Sequence, residues 1–190
     1  RAYIRTREGL DSPDAAISWI PFLIGENFQL SKQSGVTAIM NILRSESTGS
    51  IHVSSTDAKQ APAINFNFMT AQLDRDVTLE AMRITRRIMT APAMQGIATD
   101  EIAPGVNIDA DDELLEWVRN NAETTYHPVG TCKMGSDPMA VVDDHLRVHG
   151  MEGLRVADAS IMPTLTSGNT NAPSIMIGEK ASRMILEAAA

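Results

Sequence analysis

The sequence predicts a mixed α/β chain of α+β character: an antiparallel sheet with flanking helices up to about residue 124, then strands and a C-terminal helix. Three observations carry this. Short β-rich runs separated by Ser, Gly, Asp and Pro fill residues 36–68. Two stretches with helical apolar spacing come next, at 73–89 and 111–121. Beyond Thr124 the composition turns to Gly, Pro and brief apolar runs that lead into a last helix near Pro173.

Each element has a local reason. From Arg1 to about Asn27, the cluster Trp19, Ile20, Phe22, Leu23 and Ile24 around Pro21 reads as an extended strand or loop packed on a sheet. The runs Val36–Leu43, Gly49–Ser54 and Ala63–Phe68 read as strands of one antiparallel sheet, and the alternation of apolar residues with Asn from Ile64 onward marks a half-buried strand. Between Leu73 and Met89, the residues Val77, Ala81, Ile84 and Ile88 form one stripe, with Pro92 just past the end. A second helix runs from Asp111 or Asp112 to Asn121. Its acidic first turn suits the helix dipole, and Leu114, Leu115, Trp117 and Val118 supply a buried face. Both helices are expected to cover the sheet. Leu154–Ala157 reads as a strand, 167–171 as a Gly/Asn loop, and the last helix starts near Pro173 with Asn171 or Ala172 near its cap. A domain boundary near Thr125 divides 1–124 from 125–190.

With 190 residues, 43% hydrophobic and 21% charged, the chain has the make-up of a globular protein long enough to bury a core. Sixteen basic against twenty-four acidic residues, a formal charge of -8, argue against a nucleic-acid partner. The apolar stretch Ile17–Ile24 is short and holds Pro21, so no transmembrane segment is read. The expected location is cytoplasmic or peripheral to a membrane. The single cysteine, Cys132, excludes an internal disulfide. The chain opens on Arg1 without punctuation typical of a domain start, so it is expected to be a piece of something longer.

Three constellations could carry chemistry. His127, Cys132, His145 and His149 have spacing that invites a zinc site, but a second cysteine is missing and Arg147 sits between the last two histidines, so no metal is expected. A nucleophilic pair of Cys132 with His127 lacks any sign that the two side chains face each other. In the third, Pro128 stiffens the backbone at His127, and the segment from Ser167 to Pro173 is a polar turn opening a helix. A histidine that takes a proton, an asparagine that holds an oxygen, and a helix N-terminus that favours negative charge suit oxidation of an alcohol with hydride leaving to a cofactor. The residues alone leave open that Asn169 and Asn171 serve only the turn.

The blocks Tyr126-His-Pro-Val-Gly-Thr-Cys-Lys-Met-Gly135, Leu146-Arg-Val-His-Gly150, Leu154-Arg-Val-Ala-Asp-Ala-Ser-Ile-Met-Pro163, Gly168-Asn-Thr-Asn171 and Ile175-Met-Ile-Gly-Glu-Lys180 closely resemble the C-terminal part of glucose-methanol-choline (GMC) flavoprotein oxidoreductases. The choline dehydrogenase type and related alcohol dehydrogenases look nearest. Ser47–Val53 and Pro62–Asn65 resemble the family's substrate-domain strands. The resemblance implies a substrate-domain portion at 1–124 and the C-terminal strands and helix of a FAD-binding domain at 125–190. It implies FAD as cofactor, with His127 as base toward a small-molecule alcohol and Asn169 as its partner. Tyr126, Asp158, Ala159, Asn171 and Ala172 would bind the cofactor: Asp158 and Ala159 along the ribityl and pyrophosphate part, Asn171 and the start of the last helix toward the flavin edge. Asn169 and Asn171 could exchange roles. The twelve glycines contain no G-x-G-x-x-G, the turn by which the family holds the adenosine half of FAD. The N-terminal FAD-binding portion is therefore the implied partner, and this stretch alone is expected neither to hold FAD tightly nor to turn over. The fold also supports hydroxynitrile cleavage and light-driven decarboxylation, and a non-catalytic binding or assembly module would retain the same packing.

Overall fold

The computed structural model describes residues 1–25 and 29–189; the far end of the first predicted segment, at Asn27, lies outside them. Strands β1 (Ala2–Ile4), β2 (Ala15–Ile20) and β3 (Thr37–Ile42) form an antiparallel sheet in the order β1-β2-β3, with Ala2 opposite Ile17 and Ala16 opposite Asn41. Ala15, Ala16 and Ile17 of the central strand are fully buried. The two alanines are small enough for helix α1 (Gln72–Met89) to lie close over the sheet, where Val77 and Ala81 pack with Ala15, Ile42 and Met40.

The buried face of α1 differs from the predicted stripe. Val77 and Ala81 are buried as expected, but Thr85 takes the place expected of Ile84 and Ile88. Its hydroxyl donates to the Ala81 carbonyl at 2.8 Å, which satisfies the one polar group that would oppose burial. Helix α2 (Asp111–Asn121) packs chiefly on α1, with Leu114 and Val118 against Leu79 and Met82, in a cluster that also takes in Met40. The expectation that both helices cover the sheet is corrected accordingly: α1 does so, and α2 is layered on α1.

The segment between the two helices is gathered by Arg86, whose guanidinium donates to Glu101 at 2.8–3.2 Å, to Asp109 at 3.0 Å and to the carbonyls of Gly105 and Ile108. A planar fork with five donors is what such a set requires. Arg86→Lys keeps the charge and loses the fork. It is expected to lower stability by about 1–2 kcal/mol, measured as a drop in the thermal midpoint of the complete protein; an unchanged midpoint would show that the segment holds without it.

The predicted single sheet over 36–68 is corrected to two. β3 pairs with the N-terminal β2, whereas β4 (Ser50–His52) and β5 (Ala63–Asn65) form a separate antiparallel hairpin whose strand residues are all exposed. The expected strand to Phe68 stops at Asn65: Asn67 and Met69 have φ of 55° and 60°, a left-handed backbone that ends pairing. Gly49 is required here, because a Cβ would lie 2.1 Å from the Asn65 carbonyl oxygen. The predicted strand at Leu154–Ala157 is likewise reduced to a single bridge between Arg147 and Arg155.

By internal contacts the described chain forms two compact units, one of residues 1–48 and 67–123, the other of 49–66 and 124–190. In the second unit, short bridges join Met134 to Val142 and Val142 to Val148, a single 3₁₀ turn spans Ala159–Ile161, and helix α3 runs from Asn171 to Ala189. Its core holds Val142, Leu146, Ile161, Met162, Ile177 and Ala181. Among its turns, the Asp143 carboxylate is held down to about 2 by the Arg147 side chain and the backbone N–H groups of Arg147 and His145. No described helix is long and apolar enough to cross a membrane.

Candidate functional site

Helix α3 starts two residues earlier than the expected Pro173. The Thr170 carbonyl accepts the Ser174 N–H at 3.0 Å, the first helical bond, so Thr170 stands at the N-cap and Pro173 is the third helical residue. Ile177 and Ala181, one turn apart, anchor the helix in the core against Ile161 and Met162. The segment after His127 runs beside residues 158–162: Cys132 N–H donates to the Ser160 carbonyl at 3.0 Å and Met134 N–H to the Ile161 carbonyl at 2.7 Å. Gly130, at φ 87°, turns the chain where a Cβ would press on the Met162 carbonyl at 3.3 Å. The same core thus fixes both His127 and the start of α3.

His127 and the turn before α3 meet directly. Asn169 Nδ2 lies 2.8 Å from His127 Nε2, and His127 Nδ1 lies 2.9 Å from Thr170 Oγ1. Asn169, rather than Asn171, makes the hydrogen bond to the imidazole. The ring is half-buried, Asn169 is exposed and Thr170 is buried, so the Nε2 side faces outward and the Nδ1 side faces the protein. Tyr126, which precedes the histidine, has φ of 59° and is exposed; its N–H donates to Thr124 Oγ1 at 3.1 Å. A tyrosine in this region carries backbone strain that the surrounding chain must hold.

The other predicted residues fall nearby in different states. Asn171 and Ala172 form the exposed first turn of α3, whose N–H groups lack intrahelical acceptors. Asp158 caps the 3₁₀ turn that starts at Ala159, accepting from Ser160 N–H at 2.8 Å and from its hydroxyl at 2.5 Å. Thr170 is absent from the site residues predicted by sequence; the signal that could have found it is its place just before a helix with proline at the third position.

The alternative constellations do not assemble. Among the described residues no group of three or more His, Cys, Asp or Glu side chains is placed to hold a metal ion. His149 Nε2 hydrogen-bonds the Gly135 carbonyl at 3.0 Å, and His145 is exposed beside Asp144. Cys132 is a half-buried free thiol, and no hydrogen bond among the described residues joins it to His127.

Chemically, the arrangement offers an acceptor nitrogen and an amide donor at one point, next to an exposed helix start. A hydroxyl placed there could give its proton to the ring while its oxygen is held by the amide. The first turn of α3 suits an electron-rich group, so the residues present fit the edge of a flavin.

The chain is similar to known proteins along most of its length. The family model described as GMC oxidoreductase matches residues 45–178. The chain is 48% identical over 179 residues to an oxygen-dependent choline dehydrogenase of Cronobacter sakazakii (strain ATCC BAA-894), covering 94% of this chain and 32% of that protein. It is 48% identical over 184 residues to one of Escherichia coli O17:K52:H18, covering 96% and 33%. The chain therefore spans about a third of the length of these relatives. Among solved structures, pyridoxine 4-oxidase from Mesorbium loti matches with a TM-score of 0.85 at 29% identity, over 96% of this chain and 36% of that one. An R554K variant of formate oxidase from Aspergillus oryzae RIB40 matches with a TM-score of 0.84 at 27% identity, over 93% and 32%. The motif blocks, the fold and the matched residues 45–178 lead to one conclusion: the chain belongs to the GMC oxidoreductase family.

Proposed function

We propose that the complete protein oxidises a primary alcohol to an aldehyde with bound FAD, and that this chain supplies the groups that bind and deprotonate the hydroxyl. The observation that carries the reading is the contact of Asn169 with Nε2 of His127 at 2.8 Å. The substrate oxygen replaces part of that contact: Asn169 Nδ2 donates to it, and Nε2 receives its proton. FAD, when bound, supplies the hydride acceptor. Tyr126, Asn171 and Ala172 would face the flavin ring, and Asp158 and Ala159 its ribityl and pyrophosphate part. The Gly-rich turn that these twelve glycines do not form would come from the N-terminal portion. In this reading residues 1–124 belong to the substrate domain and 125–190 close the FAD domain.

Anaerobic mixing of the complete protein with primary alcohols, choline among them, is expected to bleach the oxidised-flavin absorbance. No bleaching with any alcohol, together with cleavage of a cyanohydrin, would replace the oxidase reading with a lyase one. Asn169→Ala is expected to slow flavin reduction by about 10- to 100-fold with flavin content unchanged. A loss confined to flavin content would move Asn169 from substrate to cofactor binding.

A further inference from the structure

A neutral imidazole carries one donor and one acceptor nitrogen, and its neighbours decide which is which. The neighbours of His127 differ in what they can do. The Asn169 amide nitrogen can only donate, and it faces Nε2 at 2.8 Å, so Nε2 presents its lone pair and the ring proton resides on Nδ1. That N–H then donates to Thr170 Oγ1 at 2.9 Å. Thr170 is 8% exposed, which leaves little room for water to take over as acceptor.

Thr170 has this oxygen to offer because of the proline three residues further on. An N-cap hydroxyl ordinarily accepts from the N–H of the second or third helical residue. Here the third is Pro173, which has no N–H. The local sequence thus places a hydroxyl at the cap and removes one of the two backbone donors that would claim it. A side chain 43 positions away in sequence takes its place.

We propose that Thr170 is the positioning residue of this site: it holds the Nδ1-protonated form of His127 and the plane of the ring, so that the Nε2 lone pair stays aimed at the hydroxyl proton. Its role differs from that of Asn169, which sits on the side the substrate shares. The proposal rests on the reading of His127 as the base, and its test separates the two.

In the complete FAD-loaded protein, Thr170→Val removes the acceptor at nearly constant shape. Thr170→Gly removes it while remaining an acceptable cap, so it stands in if the valine variant fails to fold. Thr170→Ser keeps both functions. Val and Gly are expected to slow flavin reduction at saturating alcohol by about fivefold to tenfold, with flavin content and the substrate KM unchanged, and Ser to restore the rate. Nitrogen NMR of histidine-labelled protein, with the His127 signals assigned by their loss in His127→Ala, is expected to show Nδ1 protonated in the parent and Ser forms, and a mixture of the two tautomers in Val or Gly. A parent ring protonated on Nε2, an unchanged tautomer in the Val and Gly forms, or undiminished rates in both would overturn the proposal. If His127→Ala itself reduces flavin normally, the failure belongs to the base assignment, and the tautomer spectra still report on Thr170.

Discussion

His127→Ala in the complete protein is expected to slow anaerobic flavin reduction by an alcohol about 10²- to 10⁴-fold, the range a positioned general base contributes. An aliphatic hydroxyl is a very weak acid, so hydride cannot leave its carbon readily until the oxygen begins to shed its proton. In the described site Nε2 of His127 lies 2.8 Å from the Asn169 amide nitrogen, which has no lone pair free to take a proton, so in the proposed reaction the imidazole alone receives it. Removing the ring leaves the proton to solvent. Because the imidazole bonds to Asn169 and Thr170 and is not one of the side chains that build the core, the alanine variant should retain the fold and its flavin. Stopped-flow traces of the oxidised-flavin band decide the matter: near-normal reduction would eliminate His127 as the base.

The largest expected effect on stability lies far from this site in the chain. Asp74 is 1% exposed at the third position of α1, and its carboxylate accepts from the Ser45 hydroxyl at 2.6 Å and from the N–H groups of Glu46 and Ser47 at 2.9 Å each. In return the Ser47 hydroxyl oxygen accepts the N–H groups of Thr70 and Ala71 at 3.1 Å, completing a helix start whose own cap residue, Ala71, has no side-chain acceptor. Asp74→Ala takes the shared acceptor from two backbone N–H groups and a hydroxyl at the start of α1, and is expected to cost about 2–3 kcal/mol. Burial by itself raises the carboxyl's proton affinity, but hydrogen bonds from Ser45 and Ser47 and from the backbone of Glu46 and Ser47 outweigh it, so the group stays below 3.8. A carboxyl lowered on folding stabilises fully above its unfolded value and loses that contribution as pH falls through the folded one. The parent protein should therefore lose thermal stability below about pH 4, and Asp74→Ala should lose less of it there. An unchanged midpoint at neutral pH, or parallel acid curves, would contradict this.

Legibility tracks the range of the forces involved. Helices α1 and α2 lie within one residue of their predicted bounds, because apolar period, acidic first turns and Pro92 are local signals. Strands β1 and β2 are legible only as an extended stretch: three residues at Ala2–Ile4 make no pattern until Ile17 is opposite. The single sheet expected over 36–68 fails at Leu43–Thr48, where the start of α1, distant in sequence, captures the chain through Asp74 and Ser47. In the site, His127 and Asn169 stand out from their own surroundings, whereas Thr170 matters only once an imidazole 43 residues earlier arrives beside it. The start of α3 is expected too late because proline favours the first helical position, and Pro173 stands third.

The hairpin 49–66 belongs by its contacts with 124–190, although α1 and α2 intervene in sequence. Three peptide junctions, near 48/49, 66/67 and 123/124, therefore connect the two units. A single crossover that swapped the segment after 123 between relatives would carry His127, Asn169 and Thr170 together but leave their hairpin behind. Chimeras that respect this architecture need a paired exchange, and inherited variation at 49–66 should track that at 124–190 more closely than its neighbours in the chain.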